Sequence, residues 1–411
     1  MIHESKVNYY ATAFPGQFKY AEGAIVKDNS GKEYIDFFSG AGTLNYGHNH
    51  PEIKRALISF LENQKILHCM DMNTEMKTTF LENFGSIILG PRSLDYVVQF
   101  PGPTGTNAVE AAVKLARICT KRNKIVAFTN SFHGMTSMSL ALSGSRKGAQ
   151  KYNQSQEVIY FPFDGFLKEG FNSIEYLKKM ILSKGSGVEL PAAVILETIQ
   201  GEGGVNIASI SWLQELWDFT RNNDILMIVD DIQVGCGRSG QFFSFERAGI
   251  IPDIVLLSKS LSGYGLPLSM MLLKPEYDMW KPGEHNGTFR ANNLSLCSGN
   301  EALNLWKDNS LEIEIELKSK IIKSRLEDLK KTSPNISNIR GVGLIWGVEM
   351  NFGKRAKAVS KALFDSGMLV ETCGPEDEVL KLLPPLTISN EDLIKGLDKL
   401  ENVLLNQFEM A

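Results

Sequence analysis

Cysteine and histidine are scarce in this chain: its 411 residues include five of the first and six of the second. The cysteines (Cys69, Cys119, Cys236, Cys297 and Cys373) are scattered and odd in number, and no two form a C-x-x-C pair. That argues against a disulfide frame or a zinc knuckle and suits the reduced thiols of a cytoplasmic protein. Neither sign of charge dominates, since 43 Lys and Arg stand against 47 Asp and Glu, a formal net charge of −4. The basic excess that draws a protein to nucleic acid or anionic lipid is missing. No apolar run approaches the roughly 20 residues that cross a bilayer. The opening MIHESKVNYYATAF lacks a signal peptide's apolar core. These absences lead to the expectation of a soluble, cytoplasmic protein acting on small molecules, with no nucleic acid and no membrane as partner.

What is present is an ordinary globular balance, 43% hydrophobic and 22% charged, on a chain long enough to bury a large interior. Short apolar runs rich in Val and Ile recur at residues 96–100, 124–130, 192–197, 225–231 and 254–259. Several lack polar alternation, as strands covered on both faces do. Amphipathic stretches at 108–120 and 211–222 lie between them, so the order predicts an α/β core. The ends read differently. Residues 24–26 and 33–37 flank the turn signal Asp28-Asn29-Ser30-Gly31. Residues 311–331 are helical and charged, 343–350 and 368–372 are short apolar segments, and 390–408 predicts a last helix. Residues 1–47 and 299–411 are therefore expected to form a smaller α+β domain beside a large domain spanning 48–298.

Three segments carry chemistry. Residues 99–107 read Gln-Phe-Pro-Gly-Pro-Thr-Gly-Thr-Asn between a strand and a helix. Small residues let the backbone turn sharply, and the helix start aims free N–H groups at an anion such as phosphate. A plain turn with Thr106 or Asn107 as helix cap is the bland alternative. A Walker loop is excluded by the missing G-K-[ST]. In the second segment, Asp230 and Asp231 end an apolar run. Period-two geometry sends them to opposite faces, so they should not share a role. Helix capping and magnesium binding are the competing readings, but carboxylates at the C-terminal edge of a parallel strand are where α/β ligands sit. In the third, Lys259 ends another buried run and small residues follow it. Desolvation would make it a usable amine nucleophile, whereas a snorkelling surface lysine would be inert. Its 29 positions after Asp230 allow a crossover to the same sheet edge.

Gly235-Cys236-Gly237-Arg238-Ser239-Gly240 matches G-x-G-x-x-G, but Gln241-Phe242-Phe243-Ser244-Phe245 follows, which is a poor helix start. A nicotinamide-dependent oxidoreductase is accordingly disfavoured. An anion-binding helix start, a buried Asp and a buried Lys together suit a phosphate-bearing aldehyde held as a Schiff base, with a ring nitrogen that needs a carboxylate. Pyridoxal 5′-phosphate has those features.

At this point the chain resembles class III, fold type I, pyridoxal-phosphate-dependent aminotransferases over roughly residues 10–400. The resemblance rests on G-H-N-H-P from Gly47, E-T-I-Q-G-E-G-G from Glu197, I-V-D-D-I-Q-V-G-C-G-R-S-G from Ile228 and S-K-S-L-S-G from Ser258. It implies a mostly parallel sheet flanked by helices, with a smaller α+β domain. It implies that Lys259 binds the cofactor aldehyde and shuttles a proton, and that Asp230 pairs with the pyridine nitrogen. Gln233 would meet the ring hydroxyl, Gly105 and Thr106 the phosphate, and Phe132 the ring face. Thr288 would reach the phosphate of a neighbouring subunit, which implies a homodimer. His48 and His50 would belong to a structural turn and not to a metal site, and His133 would be a packed or supporting residue, not a base.

Two departures bear on substrate. Met135 stands where many members carry a carboxylate-clamping Arg, and Lys381 stands where many have an Arg salt-bridged to the gate glutamate, here Glu202. Lysine lacks arginine's bidentate fork. Arg290, in Thr288-Phe289-Arg290-Ala291, is expected to supply part of the missing carboxylate recognition. Three segments, I-D-F-F-S-G-A-G-T-L-N-Y-G-H-N-H-P, S-K-S-L-S-G-Y-G-L-P and W-K-P-G-E-H-N-G-T-F-R, are similar to the ectoine-type subgroup. That subgroup moves an amino group from L-glutamate to L-aspartate 4-semialdehyde to give L-2,4-diaminobutyrate. The small floor Gly40-Ala41-Gly42 would leave room for such a substrate. Another ω-amino acid transaminase or an aminomutase is the alternative within the fold.

Overall fold

The computed structural model describes residues 4–144, 155–167, 170–351 and 353–406. Its centre is a seven-stranded sheet. In chain order the strands are β1 (Val97–Gln99), β2 (Ile125–Phe128), β3 (Val158–Phe161), β4 (Ala193–Leu196), β5 (Leu226–Asp230), β6 (Ile254–Leu257) and β7 (Met270–Leu273). In space they run β1-β7-β6-β5-β4-β2-β3. Only β7 is antiparallel to its neighbours β6 and β1, and the other pairs are parallel. Every residue of β2, β4, β5, β6 and β7 is buried. This is why their sequences read as unbroken apolar runs.

Parallel pairing sets β5 beside β6, with Asp230 opposite Leu256, so both strands leave the sheet at one edge. Two antiparallel steps, β6 to β7 and β7 to β1, bring the end of β1 to that edge as well. Helix α1 (Gly105–Thr120) starts there, and its N-cap Thr104 and N3 residue Asn107 form a reciprocal capping box. Its inner face is buried and alanine-rich, with Ala108, Ala111, Ala112 and Ala116 fully covered. Gly235–Gly240 starts no helix: the segment is a run of turns in which a side chain at Gly237 would strike Trp306. That removes the dinucleotide reading.

The two ends of the chain meet. Phe18–Glu22, Ile25–Asp28 and Glu33–Asp36 form antiparallel strands, and Met368–Leu369 adds to the last of them in parallel. A second small sheet joins Ile336–Val342, Ile345–Met350, Val379–Leu382 and Glu371–Cys373. The apolar segment 368–372 is thus two strands in two different sheets, broken at Val370. Met270–Leu273 and Val379–Leu382 escape sequence reading because Met, Leu and Lys carry little strand signal. The last helix runs Asn390–Asn406, and residues 407–408 of the expected helix lie outside the described residues. Among the described residues no helix is long and apolar enough to cross a membrane.

Candidate active site

A cavity of about 340 Å³ opens at the shared edge of β5, β6 and α1. Lys259, Asp230, Gln233, Gly105, Thr106 and Phe132 all line it, as does Glu202. Lys259 follows β6 in a short 3-10 turn with φ +46, a left-handed backbone that non-glycine residues seldom adopt. Its Nζ donates to the Ala41 carbonyl at 2.8 Å. That carbonyl belongs to the tight Gly40-Ala41 bend, where both residues have φ +56. Burial pulls the Lys259 amine below the ordinary lysine range, while Glu202 acts the other way.

Asp230 and Asp231 do separate. Asp230 turns to the cavity, where Oδ2 lies 2.7 Å from Nδ1 of buried His133. Asp231 turns away and accepts the Ser244 N–H at 2.9 Å, and burial pushes its carboxyl up to about 7. Burial disfavours the His133 cation, but the hydrogen bond and charge of Asp230 outweigh that and raise it. His133, which also lines the cavity, therefore braces the carboxylate. Sequence reading did not single out Glu197, which lines the cavity, accepts the Phe132 N–H at 2.9 Å and is pushed by burial up to about 8. It opens the E-T-I-Q-G-E-G-G motif, but the one pointer to a chemical role was a carboxylate directly after a strand.

At the start of α1, Thr106 Oγ1 shares a hydroxyl cluster with Thr136 (2.6 Å) and Ser139 (2.7 Å). A Cβ at Gly105 would sit 2.8 Å from Ile232, so the backbone is closed down on its neighbours there. The buried Gln233 Oε1 and His133 Nε2 have no protein partner.

Beside Lys259 and on the same Ala41 carbonyl, Gln233 Nε2 donates to that oxygen (2.9 Å) and to Glu202 (3.0 Å). Lys381 Nζ meets Glu202 at 2.5 Å and Glu371 at 3.1 Å. The gate partnership thus persists with lysine in arginine's place. Burial resists ionisation of Glu202, yet Lys381 and Lys259 overcome it and hold the carboxyl down at about 2.

Four expected residues do not line this cavity: Ala41 and Lys381 meet it only through the lining residues Lys259, Gln233 and Glu202, and Thr288 and Arg290 lie elsewhere in the chain. Thr288 is exposed, and its carbonyl lies 2.6 Å from His68 Nε2. Arg290 lines a separate depression, tied to Asp71 (2.7 Å) and the His285 carbonyl (2.6 Å). This placement counts against Arg290 as a carboxylate receptor in its own subunit. Met135 is 60% exposed. His48 pairs with Asp36 at 2.8 Å beside Gly47, whose missing Cβ would lie 2.9 Å from the Gly23 carbonyl.

A helix start for phosphate, a braced carboxylate for a ring nitrogen, an orphaned amide oxygen and a desolvated lysine amine fit one cofactor, and they define a pyridoxal-phosphate enzyme of fold type I. The chain belongs to the class-III aminotransferases, whose family pattern matches residues 8–404. A diaminobutyrate–2-oxoglutarate transaminase from Sporosarcina pasteurii is 51% identical over 404 residues, covering 97% of this chain and 94% of that protein. One from Halomonas elongata is 47% identical over 404 residues, with 97% and 96% covered. The crystal structure of an ornithine aminotransferase from Toxoplasma gondii matches with a TM-score of 0.84 at 27% identity, over 98% of this chain and 93% of that one.

Proposed function

We propose that this enzyme moves the amino group of L-glutamate to L-aspartate 4-semialdehyde, giving L-2,4-diaminobutyrate and 2-oxoglutarate in two half-reactions at one site. The observation that carries the reading is the near-half identity to diaminobutyrate–2-oxoglutarate transaminases across almost the whole chain.

Pyridoxal phosphate, when bound, supplies an aldehyde for the substrate amine and a ring that takes up the electrons of a broken C–H bond. The protein supplies the rest. The start of α1, at Gly105 and Thr106, would take the phosphate. Asp230, braced by His133, would keep the ring nitrogen protonated. Gln233 would offer its amide to the ring hydroxyl, and Phe132 would cover the ring face. Lys259 would anchor the aldehyde and then carry a proton between substrate carbon and cofactor, which its lowered pKa favours. Arg290 is left out of the substrate contacts of its own chain.

The reading includes a homodimer, in which exposed Thr288 reaches the phosphate held by the second copy. It also includes a cytoplasmic setting, which suits five unpaired thiols, and a place in an ectoine-type pathway, which follows the named subgroup. The test is to supply L-glutamate and L-aspartate 4-semialdehyde to the pyridoxal-phosphate-loaded protein. Diaminobutyrate and 2-oxoglutarate should accumulate in equal amounts. Consumption of the aldehyde without 2-oxoglutarate, or faster turnover with another ω-aldehyde, would overturn the assignment.

A further inference from the structure

The cation at the substrate end of the cavity is set back from it. Lys381 has no exposed surface and Glu371 is 4% exposed, and neither lines the cavity, whereas Glu202 does. One ammonium is shared by two carboxylates: Glu202 at 2.5 Å and Glu371 at 3.1 Å. Glu371 is itself fixed on its far side by the Tyr10 hydroxyl, which donates to Oε2 at 3.1 Å. Tyr10 lies on the short helix Tyr9–Ala13, and its ring packs against Phe14 and Phe38. Lysine has three N–H donors, enough to hold two carboxylates, but no planar fork to reach past them. A buried cation moves little while two counter-charges hold it.

We propose that Glu371 is a specificity-determining positioning residue: it holds Lys381 back behind Glu202, so that the cavity presents a carboxylate to the distal ammonium of an amino-acid substrate and disfavours a second substrate carboxylate. This rests on the proposed function, in which one substrate of the pair, aspartate semialdehyde or diaminobutyrate, carries an α-ammonium away from the reacting carbon. The other, glutamate or 2-oxoglutarate, carries two carboxylates. Glu202 serves the first directly. For the second, Lys381 has to be released towards the cavity, and Glu371 opposes that release. Burial pushes the Glu371 carboxyl up to about 7, with Glu202 adding to the rise and Lys381 countering it. Against burial, its charged form is favoured by Lys381 and by the hydrogen bond from Tyr10.

The test compares Glu371→Gln with wild type in the two half-reactions, followed separately by the absorbance of the loaded enzyme. The KM for diaminobutyrate should rise and the KM for 2-oxoglutarate should fall, each by roughly three- to tenfold, with kcat little changed. Binding of glutarate, an unreactive dicarboxylate, should tighten by a similar factor in calorimetry. Tyr10→Phe, which removes only the hydroxyl, should move both constants the same way by a smaller factor, and Glu371→Asp should restore wild-type selectivity. General damage would raise both KM values together, so a parallel rise, unchanged constants or unchanged glutarate affinity would each overturn the proposal. Wild-type enzyme that fails to react with diaminobutyrate at all would instead sink the functional reading, which keeps the two failures apart.

Discussion

The two ends of the cavity are built on different principles. At the cofactor end, each group sits where regular structure stops: Lys259 after β6, Asp230 at the end of β5, Gly105 at the start of α1. Lys259 is held by a backbone carbonyl, and Asp230 by one imidazole and one backbone amide. Around Glu202, four side chains from four segments hold one another, Glu202, Glu371 and Lys381 by charge and Tyr10 by its hydrogen bond to Glu371. Tyr10 and Glu371 are 361 positions apart and Glu202 and Lys381 are 179 apart. The first arrangement follows from the fold and cannot change without it. The second can be altered one charge at a time, which on the role proposed for Glu371 would change selectivity and leave the chemistry fixed.

Removing one lysine from each end should break the symmetry most plainly. Lys259→Ala is expected to lower turnover by roughly 10³–10⁴-fold, because the proton carrier is lost while the fold is untouched. Its melting temperature should stay near or above that of wild type, since a desolvated amine has been removed. Lys381→Met should show the reverse balance. It leaves Glu202 and Glu371 facing each other without a cation, a loss on the order of 3–5 kcal/mol in stability, read as a lower denaturation midpoint. Equal losses of stability in both variants would mean that the two ends are not built differently after all.

The contrast also explains what could be read in the sequence. Strands buried on both faces betray themselves as apolar runs, and a charged or small residue that ends such a run has to lie at the sheet edge. Asp230, Lys259 and Gly105 were legible for that reason, and the opposite facing of Asp230 and Asp231 followed from the two-residue period of a strand. His133 was placed as a supporting residue, but its pairing with Asp230 spans 97 positions and leaves no local trace. Glu371 was invisible: it sits in a three-residue strand within a segment that reads as one continuous apolar stretch. Arg290 was drawn into the site by an absence elsewhere, the missing Arg at Met135. That signal says a cation is needed but not where it comes from. Only tertiary contacts show that Asp71 claims it.

A third prediction sharpens the account of the cofactor end. Gly134 has φ +125, and a Cβ there would lie 2.7 Å from Thr106 Oγ1 and 2.9 Å from Ser139 Oγ. Gly134→Ala should therefore disturb the hydroxyl cluster that orients Thr106. The expected cost is about 1–3 kcal/mol, appearing as pyridoxal phosphate that dialyses away more readily, with substrate selectivity unchanged. A selectivity change without loss of cofactor would put Gly134 at the wrong end.

The smallest expected effect concerns the carboxylate that the cavity does not use. Asp231 is raised from an ordinary value near 3.8 to about 7 by burial, partly offset by its hydrogen bonds to Ser244. Between those values the folded protein keeps a proton that the unfolded chain has released. The stabilising contribution is therefore complete below about 4 and is lost as pH rises through 7. Asp231→Asn keeps an acceptor for the Ser244 N–H but cannot ionise. Holoenzyme denaturation midpoints measured at pH 5 and pH 8 should fall further in wild type than in the variant, by about 1–2 kcal/mol given about 1.4 kcal/mol per pKa unit and some relaxation around the charge. Kinetic constants should be unaffected, because Asp231 faces away from the cavity while Asp230 faces into it. Parallel pH slopes in the two proteins would mean that Asp231 ionises freely. The division of labour between these adjacent carboxylates would then rest on direction alone.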